Sequence, residues 1–330
     1  MPARVGKVNR TLLQLLCSRE QELRERYGIA WKITGVASRK LGWVANPEGV
    51  PALPVSDGTA FEDHSGKLND VRDWLCAAKA DVLFEATSLN VENGQPAVDH
   101  VRAALEHGAH AITANKGPIV FAYDELRELA AAKGKRFLFE STVMDGVPIF
   151  SLFRDNLPTV HLRGFRGILN STTNVILGGM EDGLSFEQAL QKAQTIGVAE
   201  TDAAHDIDGW DATVKVAALL TVLMGVQLKP GDIERQGIRG LTAEAVRSAR
   251  AAGMPYKLVC QAKRSDSGVS ASVRPEKLLL SDPLAWVAGT SSIVCFDTDI
   301  FPGLIIREDT PGLDATAYGM LADFVKTVQQ

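Results

Sequence analysis

The chain has 330 residues, 45% hydrophobic and 23% charged, and a formal net charge of −5. That length exceeds one small core and predicts two domains in an ordinary globular protein. Acids and bases are interspersed, which excludes nucleic acid as a main partner. No apolar run approaches a membrane span, and LLQLL near the start is too short and interrupted for a secretory signal, so a cytoplasmic protein is expected.

The N-terminal half alternates helix and strand. Leu12, Leu15, Leu16 and Leu23 against Arg and Glu predict a helix over 11–27. IAWKITGVA (29–37) reads as a strand, and the Gly/Pro-rich stretch 41–60 reads as loop. Helices are predicted over 68–78, 96–107 and 123–133, and strands over 80–87, 109–113 and 136–140. This rhythm predicts an α/β fold: a Rossmann-like doubly wound parallel sheet, with ligands at the carboxyl ends of the strands. The C-terminal half begins with a strand over 160–170 and continues with helices over 171–182, 185–196, 208–224 and 242–252. Strand-like segments around 256–265, 269–275, 291–297 and 301–307 predict a second, α+β domain with a mixed sheet. A terminal helix from 312 is expected to pack back on the first domain. The domains are therefore 1–140, completed by 311–330, and 141–310.

A dinucleotide-binding sheet opens with a strand and a glycine-rich turn into its first helix. Here MPARVGKVN offers Gly6 alone where G-x-G-x-x-G is expected, and leaves no room for a full first strand. The first strand is therefore read as missing or truncated, either through a misplaced start or through damage to the cofactor site. Gly6, Lys7 and Val8 are the remaining candidates at that turn. Ser38 and Arg39 follow the next strand, where a basic residue suits a ribose 2′-phosphate or is a solvated surface arginine. Thr87-Ser88 and Asn115-Lys116 end strands at the ligand edge.

The densest chemistry lies in AQTIGVAETDAAHDIDGWDATVKVAALL (193–220). Its second half is a helix apolar around nearly its whole circumference, yet Asp211 and Lys215 share one face at i,i+4. Glu200, Asp202, Asp206 and Asp208 precede it. A lysine among carboxylates beside a cleft is a candidate proton shuttle; the plainer alternative is a structural ion pair. Ser171-Thr172-Thr173-Asn174, following the strand that ends at Asn170, can cap the next helix, and the N–H groups of that helix start could also hold a carboxylate. The four cysteines (Cys17, Cys76, Cys260, Cys295) show no CxxC spacing and read as reduced, mostly buried thiols. The six histidines have no metal-ligand spacing.

Five blocks together resemble the homoserine dehydrogenase family: TANKG (113–117), FESTVMDGVPI (139–149), GILNSTTNVIL (167–177), AQTIGVAETDAAHDIDGWDATVK (193–215) and TPGLDATAYGMLADF (310–324). They span most of the chain in the family's order. Ser171 stands where the family has glycine, Val175 where it has tyrosine, and Ala203 where it has proline. The regulatory domain of longer relatives does not follow. The resemblance implies reversible reduction of L-aspartate 4-semialdehyde to L-homoserine with NADPH or NADH. It implies Lys215 as proton donor and Lys116 as a second cation at the reacting oxygen. It further implies Glu200, Asp211 and Asp206 as substrate-holding acids, and Asn170, Thr172 and Thr173 at the α-carboxylate. His205 and Trp210, inside the same block, are read as packing or rim residues. Of the late glycine-rich block, Gly312 is the cofactor-facing residue. A sodium ion held mostly by main-chain oxygens would use Glu140, Val143, Asp145 and Val147, with Asp145 replacing a small residue. A homodimer through the second sheet is the family's arrangement. Two other readings stay open: an amino-acid-binding relative with an impaired dinucleotide site, and a sister dehydrogenase of another small amino acid.

Overall fold

The alternation of apolar strand and amphipathic helix in the first half builds a parallel sheet, as seen in a computed structural model that describes residues 6–38, 41–52 and 68–329. The chain divides into two units, Met1–Ile149 with Gly312–Gln330, and Phe150–Pro311.

In the first unit, α1 (Lys7–Ser18) buries Leu12, Leu13 and Leu16 on one face. It breaks at Arg19, where φ/ψ leaves the helical region, and α2 (Glu20–Tyr27) ends at a left-handed Gly28. Strand β1 (Ile33–Ser38) does not join a parallel neighbour. It pairs antiparallel with β2 (Gly42–Val50) through Val36↔Val44 and Ala37↔Trp43. The expected loop from 41 is thus a strand as far as 50; residues 53–60 of that loop lie outside the described residues. Glycine and proline signalled a loop, but Val44 and Val50 find a buried face, and burial overrides propensity. Helix α3 (Val71–Ala78), capped by Asp70, holds this hairpin: the Trp74 indole Nε1 donates to Val44 O at 2.8 Å.

Strands β3 (Val82–Glu85), β4 (His110–Thr113) and β5 (Phe137–Leu138) form the parallel sheet in the order β3-β4-β5, with α4 (Ala97–His107) and α5 (Gly117–Ala132) as crossovers. Helix α5 starts at 117 rather than 123. Pro118 in its first turn favours a helix start, and the kink at Ala122 (φ −147°) interrupts the pattern that marked 123–133. Among the described residues no strand precedes α1, and β1 and β3 are not hydrogen-bonded to each other. A cleft of about 1940 Å³ lies between them, lined also by α1 and α3. The last helix, α11 (Leu313–Val328), packs Ala317, Met320 and Phe324 with Leu12 and Leu16 of α1 and Ile112 of β4.

The second unit is a six-stranded mixed sheet: β6 (Leu162–Ile168), β7 (Glu234–Arg235), β8 (Tyr256–Ser265), β9 (Gly268–Lys277), β10 (Ser292–Thr298) and β11 (Leu304–Glu308), in the order β11-β10-β6-β8-β9-β7. Only β7 and β9 pair in parallel. Helices α6 (Ser171–Glu181), α7 (Phe186–Thr195), α8 (Ala204–Ile207), α9 (Trp210–Leu219) and α10 (Ala243–Ala251) complete it. Residues 220–224 continue α9 as a π-helical turn ending at left-handed Gly225. All four cysteines are free thiols, but Cys17 and Cys76 are exposed on the outer faces of α1 and α3, against the expectation of mostly buried thiols. No helix among the described residues is long and apolar enough to cross a membrane.

The tightest backbone approach in the first unit joins the 145–147 turn to α11. A Cβ on Gly146 would lie 2.0 Å from Ala315 O. Gly146→Ala is therefore expected to lower stability by about 2–3 kcal/mol in thermal unfolding. Gly178→Ala, where a Cβ meets nothing within 4 Å on α6, is expected to be neutral or to stabilise by up to about 1 kcal/mol.

Candidate functional site

The substrate-type chemistry sits in the second unit, where β6 turns into α6. Asn170 is the N-cap of α6, and its Oδ1 accepts from Thr173 N at 2.9 Å. The same side chain's Nδ2 donates to Asp206 Oδ1 at 2.7 Å and to Asp211 Oδ2 at 3.2 Å. Thr172 Oγ1 donates to Asp206 Oδ2 at 2.9 Å. Lys215 Nζ pairs with Asp211 Oδ2 at 2.9 Å and donates to Leu169 O at 2.6 Å. Asn170, Thr172, Asp206, Asp211 and Lys215, five of the sequence candidates, thus form one hydrogen-bonded cluster built by α6, α8 and α9.

Burial, then the neighbouring Asp211 charge, raises the Asp206 carboxyl above its ordinary value; Asn170, Thr172 and Lys215 offset this only in part. Two carboxylates and one ammonium thus share this cluster. Beneath it Cys260 is fully buried, and desolvation pushes its thiol up to about 12. A thiol so raised stays neutral and serves as packing.

Two candidates are placed differently. Thr173 is buried, and its N–H and hydroxyl both bond Asn170, so it supports the cap. Glu200 is exposed on the loop after α7, and its backbone carbonyl accepts from Gln194 Nε2 at 3.2 Å. Trp210, read from sequence as packing or rim, packs against Arg235, whose guanidinium lies 3.7 Å from its ring centroid. Arg235 carried no sequence signal, because it comes from a two-residue strand remote in the chain.

The nucleotide-type features belong to the first unit. The cleft there is lined by Gly6, Ser38, Thr87 and Ser88 among others. Gly6 caps α1 without a side-chain bond, and the N–H groups of a helix first turn suit an anion. Lys7 is exposed beside it and Val8 packs into the α1–α11 core. Asn9 also lines the cleft, and its buried Oδ1 has no partner among the described residues. These observations fit a dinucleotide. Ser38 Oγ accepts from Leu41 N at 3.1 Å, while Arg39 lies outside the described residues. Asn115 ties two strand ends together: its Nδ2 donates to Thr87 O and its Oδ1 accepts from Gly117 N. Lys116 is the N-cap of α5, and Gly312 that of α11.

Sequence reasoning missed Glu85, at the carboxyl end of β3. It is 2% exposed and lines the same cleft. Its carboxylate accepts from Thr87 N at 2.9 Å, from the Thr87 hydroxyl and from Thr113 Oγ1 at 2.9 Å. The one available signal was an acid inside an otherwise apolar strand. Of the cation candidates, Glu140 N donates to Asp323 Oδ2 and Asp145 Oδ1 accepts from Thr316 Oγ1 at 2.6 Å. Val143 is buried, and the Val147 carbonyl accepts from Ile149 N. No group of three or more His, Cys, Asp or Glu suited to a metal occurs among the described residues.

Residues 5–140 match the profile "Homoserine dehydrogenase, NAD binding domain", and residues 148–325 match "Homoserine dehydrogenase". The chain belongs to the homoserine dehydrogenase family. It is 35% identical over 327 residues to the NAD(+)-dependent homoserine dehydrogenase of Pseudomonas canavaninivorans, covering 97% of this chain and 93% of that protein. It is 31% identical over 328 residues to the homoserine dehydrogenase of Methanocaldococcus jannaschii, covering 97% and 95%. Among solved structures, a putative homoserine dehydrogenase from Archaeoglobus fulgidus superposes with a TM-score of 0.82 at 27% identity, covering 98% of this chain and 97% of that one. A hyperthermophilic archaeal homoserine dehydrogenase mutant in complex with NADPH gives 0.81 at 26% identity, with 98% and 94% covered. The first unit of this family member is thus a nicotinamide-cofactor domain, and the second holds the carboxylate–lysine cluster.

Glu85 offers a pH test of the cofactor domain. Burial pushes its carboxyl up, but bonds from His100, Thr87 and Thr113 outweigh that and leave it below the ordinary carboxylate value. Its stabilisation is therefore complete above that ordinary value and fades as pH falls through the depressed one. Glu85→Gln is expected to cost about 1–3 kcal/mol at neutral pH, by denaturant unfolding. The difference from wild type should shrink in acid.

Proposed function

We propose that this chain catalyses the reversible, pyridine-nucleotide-dependent reduction of L-aspartate 4-semialdehyde to L-homoserine. The observation that carries the reading is the cluster in which Asn170 joins Asp206 and Asp211 beside Lys215. The substrate's α-ammonium would sit against Asp206 and Asp211 and favour ionised Asp206. Glu200 would add a further acid from its loop, and Thr172 a hydroxyl towards the α-carboxylate.

Lys215 would donate the proton to the aldehyde oxygen and take it back in oxidation. Its ammonium is held by Leu169 O and Asp211, so a proton is kept at a defined point without a flexible search. Lys116 would supply a second cation for developing alkoxide charge. A bound nicotinamide supplies the hydride. The chain's own part is to hold it: Gly6, Lys7 and Val8 with the diphosphate at the α1 start, Ser38 and Arg39 at the ribose, and Thr87, Ser88, Asn115 and Gly312 along the strand ends. NADP is favoured by the basic Arg39, though NAD(+) stands in the name of one similar protein. A sodium ion at the 140–147 turn would rest on main-chain oxygens, since Asp145 Oδ1 already accepts from Thr316. Two copies are proposed to pair through the second sheet, whose last strand exposes Ile305; sedimentation at about twice the chain mass would support this, and a single-chain mass would remove it.

Lys215→Ala is expected to lower homoserine oxidation by about 10²–10⁴-fold while leaving NADPH affinity, read from nucleotide fluorescence, unchanged. Equal rates would discard the assigned role. Absence of NADPH and NADH binding by the unaltered protein up to millimolar levels would overturn the dehydrogenase reading itself.

A further inference from the structure

Asp206 closes the α8 side of the carboxylate cluster and Asp211 lies in the first turn of α9. Between them the chain makes a tight joint, with Gly209 in the left-handed region at φ 82°. The joint's own bonds are short-range, Gly209 N to Asp206 O and Asp208 N to Ala204 O, both at 2.9 Å, and α8 has only four residues. The joint's angle sets how far apart the two carboxylates stand.

Residues 235–239 wrap that joint from outside. Arg235 Nη1 donates to the Asp208 carbonyl, and its guanidinium stacks 3.7 Å from the Trp210 ring centroid. Its Cγ would be 3.4 Å from a Cβ on Gly209. Ile238 N donates to Ile207 O at 2.9 Å, and a Cβ on Gly237 would fall 2.3 Å from that same oxygen. Arg239 grips the Asp208 carboxylate through two bonds, Nε–Oδ1 at 2.9 Å and Nη2–Oδ2 at 3.1 Å. The wrap is anchored on the sheet, where Arg235 pairs with Val273 and Gln236 N donates to Val273 O at 2.8 Å. The segment thus bonds the backbone carbonyls of 207 and 208, lies against Gly209 and stacks on the Trp210 ring, between the two acids.

We propose that residues 235–239 are a positioning brace for the substrate acids, with Arg235 as the positioning residue that fixes the Asp206–Asp211 separation through Asp208 and Trp210. A planar guanidinium does both tasks at once, stacking on the indole while its edge bonds the carbonyl. Lysine keeps the cation over the ring but not the fork. The brace rests on the proposed homoserine chemistry for its functional meaning, and on the geometry alone for its structural one.

The test compares unaltered protein with Arg235→Met, Arg235→Lys and a control, Arg264→Met. Arg264 bonds Met224 O at 2.7 Å from the same sheet, away from the joint. In cofactor-free protein, hydrogen exchange of amides 206–211 is expected to speed up in Arg235→Met and to stay unchanged in Arg264→Met. In homoserine oxidation, kcat/KM is expected to fall by about 10–100-fold in Arg235→Met, mostly through KM, because the acids hold ground state and transition state alike. Arg235→Lys should recover part of the loss. Unchanged exchange at 206–211 overturns the brace, as does a homoserine KM within twofold of the unaltered protein, or an equal KM rise in Arg264→Met. If the unaltered protein fails to oxidise homoserine, the proposed function falls, while the exchange experiment still decides the brace. Trp210→Leu removes the other half of the stack and gives the same readings should Arg235→Met not fold.

Discussion

The site depends on one side chain with two obligations. Asn170 follows β6 and starts α6, which fixes its backbone, and its Oδ1 is spent on capping. Its amide nitrogen is therefore aimed, without rotational freedom, at the gap between Asp206 and Asp211. The preceding residue's carbonyl does the same for Lys215. A helix start thus becomes a rigid template for two acids and a base. The cost of bringing two carboxylates together in a largely buried place appears in the raised Asp206 carboxyl.

The first unit follows a different logic. Its parallel strands end in Glu85-Ala86-Thr87 and Thr113-Ala114-Asn115, and these ends are cross-tied: Glu85 to Thr113, and Asn115 to Thr87. The buried Glu85 carboxylate is satisfied entirely by donors from its own edge of the sheet and the adjacent α4. Such a network holds strand ends level with each other, which a ligand spanning several strands needs.

Periodicity located most elements within a few residues, because apolar faces must meet a core whatever the topology. It failed at 42–50, where Gly42, Pro47 and Gly49 imitate a loop. Only the pairing of that segment with β1 and the cover from Trp74 make it a strand. It also failed at the start of α5, where the apolar run 117–122 is interrupted by a kink. Exposure of Cys17 and Cys76 was equally unreadable, since which helix face a cysteine occupies is settled by what the helix packs against.

The site divides along similar lines. The chain alone determined the i,i+4 pairing of Asp211 with Lys215, the presence of a capped helix start just after 170 and the acid-rich approach to α9, because each depends on neighbours a few residues away. That Asn170 itself is the cap was decided by the structure. Tertiary structure decided which acids meet. It drew Asp206 to Asn170 across 36 positions, left Glu200 exposed, and turned Thr173 into framework. It also set Arg235 on Trp210, a contact between segments whose separation in the chain hides it from any local pattern. Hydrogen bonds between distant segments follow from how helices dock on a sheet, and that docking is written in no single stretch of residues.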